Sequence, residues 1–186
     1  MNKIKYNLKN VHAAIQSHTE DGGYSYDTPK AIPGAVSLSL DAEGETSPFH
    51  ADGIVYFRAV SNNGYSGDLE MALFPADFLK AIFGVTEGTT SKVLIENAKV
   101  EPKNFALLFE EDGDAAGTKF LLYNCTATRP TRDFATTEDS KTPSTSKISV
   151  TAAPLSDGRV LAMTQADTPT DTLNSWYTKV FEESDG

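Results

Sequence analysis

Short segments in which apolar and polar residues alternate, each closed by Gly, Asn, Asp or Pro, run through most of the chain. A period of two puts alternate side chains on opposite faces of an extended strand, and many such segments in succession point to an antiparallel all-β protein. In 34–40 (GAVSLSL), Val36, Leu38 and Leu40 alternate with Ala35, Ser37 and Ser39. Residues 54–60 and 66–74 read as a hairpin joined by Asn62-Asn63-Gly64, because Asn-Gly supplies the positive φ angles of a tight turn. Residues 104–110 and 118–128 flank Asp112-Gly113, and 147–153 and 159–165 flank Asp157-Gly158. A strand near 3–15 and a short one near 92–97 bring the expected total to roughly eight to ten.

Two segments carry the helical period instead. In 75–83, Phe78, Leu79, Ile82 and Phe83 share a face, Pro75 suits the first helical position, and Gly84 stops the helix. From about 172 to 181, Leu173, Trp176, Tyr177, Val180 and Phe181 follow helical spacing, with Asp171 or Thr172 as cap. Residues 17–30 and 131–146 are too polar to fill a core and read as long loops. The expected fold is mainly β: an antiparallel β-sandwich spanning 1–186 as one domain, with one flanking α-helix and a short C-terminal helix.

Composition narrows function. With 39% apolar and 23% charged residues, the 186-residue chain has the makings of a real core. A net charge of −10 opposes any grip on nucleic acid or an anionic membrane. No run nears the ~20 apolar residues of a membrane span, and the lysines of MNKIKYNLKN precede no apolar run, so no secretory signal is read there. Cys125 is the sole cysteine, which suits a reducing compartment.

No catalytic, cofactor or metal constellation emerges. His12, expected in a strand, and His18 and His50, expected in loops, lack metal-site spacing. The run Glu110-Glu111-Asp112-Gly113-Asp114 departs from an EF-hand loop and reads as a solvated turn. Gly-x-Ser-x-Gly and phosphate-binding glycine motifs are missing from the sequence. Asn124-Cys125-Thr126 matches a glycosylation acceptor but lies in an apolar strand, where Leu121, Tyr123, Cys125 and Ala127 are expected to share a face. Cys125 reads as a small buried hydrophobe, and Trp176 as core or interface. The residues alone leave open a structural assembly protein, a non-catalytic extracellular or virion-surface binding module, and a small hydrolase.

Four blocks add a resemblance. KIKYNLKNVHAA (3–14), AIPGAVSLSLDAEGETSPFHADGIVYFRAVSNNGYSGDLEMALFP (31–75) with the helix after it, EPKNFALLFEEDGDAAGTKFLLYNCTATRP (101–130) and NSWYTKVFE (174–182) together resemble the major tail proteins of long-tailed, non-contractile bacteriophages, of the phi-thirteen type. The resemblance implies a non-enzymatic tail-tube fold that assembles into homohexameric rings. The rings stack around a tape-measure protein and meet tail-tip (baseplate) and tail-terminator proteins at the ends. It further implies assembly in the host bacterial cytoplasm, a place in the virion tail, no cofactor, no membrane insertion and DNA passing through without specific binding. Because the chain ends soon after Trp176, the immunoglobulin-like C-terminal domain of some relatives is expected to be absent. Within such a tube, Ser37, Ser39, Asp68 and Glu70 are the expected channel-lining residues, and 17–30, 131–146 and the tip 41–53 the expected contacts between copies.

Overall fold

The computed structural model describes residues 6–112, 117–134, 136 and 143–183. In chain order the elements are β1 (Tyr6–His18), β2 (Tyr24–Tyr26), β3 (Lys30–Ala31), β4 (Ala35–Glu43), β5 (Thr46–Ala51), β6 (Ile54–Val60), β7 (Gly64–Met71), α1 (Ala76–Phe83), β8 (Thr86–Glu87), β9 (Leu94–Ile95), β10 (Phe105–Asp112), β11 (Thr118–Ala127), β12 (Ser146–Ala152), β13 (Leu161–Met163) and α2 (Thr170–Ser175). The fold is mainly antiparallel β with two short helices. Nine strands form one sheet in the order β2-β1-β10-β11-β12-β7-β4, with β3 added to β1 and β13 to β11. The sheet curls until β4 comes against β1.

Apolar faces explain the curl. Leu69, Met71, Ile148, Val150, Phe105, Leu107 and Leu122 point into one cluster, which Phe78, Ile82 and Phe83 of α1 close. Helix α1 has Pro75 as its N-cap, one place before the expected position, and Gly84 ends it in the left-handed region at φ 62°. On the opposite face of β1, β10 and β11, a second cluster gathers Ala14, Ala106, Leu108, Leu121 and Tyr123 under Trp176 and Val180. Strand β10 is therefore buried on both faces, and Trp176 belongs to the core.

Several expected connections are corrected. Strand β6 pairs with β5, not β7, and the turn between them is Asp52-Gly53. Both turn residues have positive φ (53° and 78°), the requirement of the tightest hairpin turns. At Asn62-Asn63-Gly64 only Gly64 has positive φ, at 100°. There the chain passes from β6 into β7, which pairs with β4 and β12. Strands β12 and β13 are likewise no hairpin. Both lie on the same edge of β11, one at residues 125–127 and the other at 120–122. A register shift in the β10–β11 pairing turns Cys125 into the main core, away from Leu121 and Tyr123.

Other expectations shift less. Segment 17–30 is part strand: β1 extends to His18 and returns as β2, with Thr19 N–H donating to Gly23 O at 3.0 Å. The C-terminal helix is shorter than 172–181: it runs Thr170–Ser175, and its N-cap is Pro169, which makes no side-chain cap, rather than Asp171 or Thr172. Gly113 of the expected Asp112-Gly113 turn, Asp114, and 135 and 137–142 of segment 131–146 lie outside the described residues.

Candidate functional site

Three surfaces stand out, and each follows from how β4 to β7 are built. The first is a polar face. In the β4–β7–β12 register, Ser37 lies opposite Glu70 and Ser39 opposite Asp68, while Lys147 and Ser149 flank the same carboxylates from β12. The four residues expected to line a channel thus meet on one water-facing surface, backed by Leu38, Leu40, Leu69 and Ile148. Ser37 Oγ donates to Glu70 Oε2 at 3.1 Å and Thr145 Oγ1 donates to Glu70 Oε1. These hydroxyls, Thr145 first, hold the Glu70 carboxyl below the ordinary glutamate range. Asp68 accepts from Ser149 Oγ at 2.8 Å and faces Lys147 Nζ at 3.6 Å. Asp41 and Glu43 continue the same face of β4, giving four carboxylates against one ammonium.

The second surface is an arm. Beyond Glu43 and Gly64 the paired strands leave the sheet as the β5–β6 ribbon, which six residues carry about 20 Å outward. Pairing continues through the bend, with Asn63 N–H donating to Glu43 O at 2.8 Å and Ser61 N–H to Glu45 O at 2.9 Å. Phe49, Ile54, Tyr56, Phe57 and Val60 are all more than 60% exposed. They leave on the order of 500–600 Å² of apolar surface in water, at the upper end of what a lone soluble domain shows. The sequence places apolar alternation here, which normally reads as core. The sheet has nothing to cover it with.

The third surface lies at the other end of β7, where Leu73 (72% exposed) and the exposed Leu94 of β9 border the same groove. A groove of about 360 Å³ is lined by Leu73, Leu79, Val85 and Leu94 together with polar residues of 131–133 and 144–146. Arg129 and Arg132 reach Glu96 at 3.1 and 3.7 Å. A further open cleft of about 500 Å³, lined by Leu8, Leu38, Leu40, Tyr65, Phe109 and Phe120, opens where β4 approaches β1.

The remaining candidates have structural roles. His12 stacks on Tyr177 with ring centroids 4.5 Å apart, and its Nδ1 lies 2.8 Å from Asn10 O. His18 closes β1 and His50 lies in β5, so neither sits in the expected loop. Glu110 is not part of a solvated turn. It is 8% exposed in β10, and Asn10 Nδ2 (2.9 Å), Tyr177 Oη (3.2 Å) and Lys9 Nζ (3.4 Å) converge on it. Burial and the Glu110 charge push the Tyr177 phenol up. Cys125 is wholly buried, and burial pushes its thiol up to about 12. Among the described residues, no group of three or more His, Cys, Asp or Glu is placed to hold a metal, and no helix is long and apolar enough to cross a membrane.

No family model and no curated protein matches the chain. Solved structures do resemble it in shape. One is the sheath/tube terminator of the PVC extracellular contractile injection system in its extended state, at 15% identity over 88% of this chain and 99% of that one, TM-score 0.46. Another is the sheath–tube complex of the same kind of system, at 15% identity over 84% and 89%, TM-score 0.47. A third is the tube-terminating cap of the anti-feeding prophage, at 14% identity over 88% and 94%, TM-score 0.47. Likeness at this level assigns neither family nor function.

Proposed function

We propose that the chain is a structural subunit of a phage tail tube, a major tail protein whose copies form stacked rings through which DNA passes. The observation that carries this reading is the β5–β6 arm, whose apolar side chains are exposed on both faces of a two-stranded ribbon. Such a ribbon is marginal alone in water, so a partner must cover it. Strand β4 adds to this, because it has a hydrogen-bonded neighbour on one side only. An open edge is a hazard unless assembly uses it. The resemblance of residues 31–75 to phage major tail proteins names the assembly, and the arm and the β4 edge both lie within that block.

The polar face then becomes the channel wall. Four carboxylates, one ammonium and several hydroxyls present DNA with a surface that repels or ignores phosphate. Repeated cationic rings would instead hold the polyanion at many points. In this reading homohexameric rings stack around a tape-measure protein, with terminator and tail-tip proteins at the ends, and the chain resides in the virion tail with no enzymatic step of its own.

Electron microscopy of the concentrated protein tests the proposal. Hollow tubes or rings are the expected result. Monomers alone, at every concentration tried and with no tube in purified virions, would contradict it. The cleft bordered by Tyr65, Phe109 and Phe120 favours a second reading, a non-catalytic binding module. That reading predicts the monomer in the same experiment.

A further inference from the structure

Asn63 is the one asparagine of the chain that glycine follows. Asparagine is chemically labile because the next backbone nitrogen can attack its side-chain amide carbon, and glycine, with no Cβ, leaves that nitrogen open to approach. The pair sits where β6 passes into β7, with Asn63 exposed and Gly64 buried. We propose that Asn63 is a site of spontaneous modification and that Asn62 is the brake on it. Gly64 N attacks Asn63 Cγ, and the new N–C bond closes a succinimide ring. The Cγ–Nδ2 bond breaks, and ammonia leaves with the proton that Gly64 N gives up. Water then opens the ring at either carbonyl, leaving aspartate or isoaspartate at position 63.

The folded backbone opposes the first step. Gly64 N–H, whose proton must leave, donates to Asn62 Oδ1 at 3.0 Å. Asn63 N–H donates to Glu43 O at 2.8 Å and Ser61 N–H to Glu45 O at 2.9 Å, which pins the main chain just before the attacking nitrogen. Ring closure has to turn the Asn63–Gly64 peptide against those bonds. Of these acceptors only Asn62 Oδ1 belongs to a side chain, so a substitution there releases the nitrogen and leaves the backbone pairing alone. The product matters at this joint. Either acid adds a negative charge, and isoaspartate also lengthens the main chain by one carbon. Strand β7 has no room to absorb it, since even a Cβ on Gly64 would lie 1.9 Å from Ala152 O. The displacement therefore falls on the β6 side and on the arm.

Peptide mapping by mass spectrometry tests both parts, on parent, Asn62→Ala and Asn62→Asp chains incubated folded and in denaturant. In denaturant, position 63 is expected to convert before any other asparagine, at similar rates in the parent and Asn62→Ala. Folded, Asn62→Ala is expected to convert roughly two- to tenfold faster than the parent, the factor that one net hydrogen bond represents. Asn62→Asp keeps an acceptor oxygen and should convert no faster than the parent. The amide-to-acid mass gain separates this reaction from isomerisation at Asp52-Gly53, which leaves the mass unchanged. Equal folded rates in the parent and Asn62→Ala overturn the brake, and another asparagine converting first in denaturant overturns the site. If Asn62→Ala fails to fold, its rates with and without denaturant coincide, and Asn62→Asp decides: a folded rate above the parent's overturns the brake.

Discussion

At Glu110, a carboxylate sits almost out of water because donors converge on it from Asn10, Tyr177 and Lys9. Removing one donor from a buried charged acceptor costs more than a neutral hydrogen bond yields. Tyr177→Phe is therefore expected to destabilise the monomer by roughly 1–2 kcal/mol, as read by chemical denaturation, and an unchanged midpoint would contradict the role given to that hydroxyl. Cys125 is the opposite case, a titratable group kept neutral by burial. Its thiol should react with a disulfide reagent only as fast as the protein unfolds, and rapid labelling of the native chain would contradict its placement. Glu70 borders water, and its carboxyl is lowered chiefly by hydroxyl donors, Thr145 before Ser37, with the Lys147 charge adding to them. A lowered carboxylate contributes above its ordinary range and loses that contribution as pH falls through the folded value. In a pH titration followed by NMR, Glu70 should thus stay charged below the pH at which an ordinary glutamate protonates. Thr145→Val should move its midpoint upward, and a midpoint already at the ordinary value would contradict the contacts.

Among the elements, the arm and the strands that launch it depend on two glycines in different ways. At Gly64, φ is 100° and a Cβ would lie 1.9 Å from Ala152 O, against the backbone of β12. At Gly53, φ is 78° but nothing stands within 4 Å. Gly64→Ala is expected to lower monomer stability by more than about 2 kcal/mol, because β7 must shift or break its ladder. Gly53→Ala should cost about 1–2 kcal/mol, the strain of an L residue at positive φ with no steric clash added, and act on the arm alone. Equal losses in thermal melts would contradict the distinction between sheet and arm. This stretch also marks where sequence reading stops. Alternation in 34–40 and 66–74 correctly sorts Leu38, Leu40 and Leu69 inward from Ser37, Ser39, Asp68 and Glu70. It fails at the start of β4, where a register shift between Ala35 and Ser37 leaves Val36 exposed and Ala35 against the core. Pairing is not local, so Asn62-Asn63-Gly64 and Asp52-Gly53 compete as turn signals, and the backbone of the second satisfies the hairpin better. Nor does a local pattern reveal whether apolar residues such as Tyr56 and Phe57 will find cover, which depends on how far the sheet reaches. The bulge that turns Cys125 away from Tyr123 escapes alternation for the same reason.

For the whole molecule, the apolar core is largely covered, whereas the β5–β6 arm and the β4 edge of the sheet are left without a partner among the described residues. In the proposed tube, the polar face is the surface that meets DNA. Asp68→Lys with Glu70→Lys should leave folding and tube growth intact, since both side chains face water, and should slow genome release, more at low salt than at high. Unchanged release rates would contradict the assignment of that face to the channel. The tail-tube proposal requires that another copy of the chain cover the exposed arm. Its most direct test is sedimentation velocity across a concentration series, comparing the parent with a variant in which 46–60 is replaced by a short turn. The parent is expected to sediment as growing assemblies, and the variant as a folded monomer at every concentration with a melting temperature within a few degrees of the parent monomer. A parent that stays monomeric throughout, or an armless variant that assembles as readily as the parent, would contradict it.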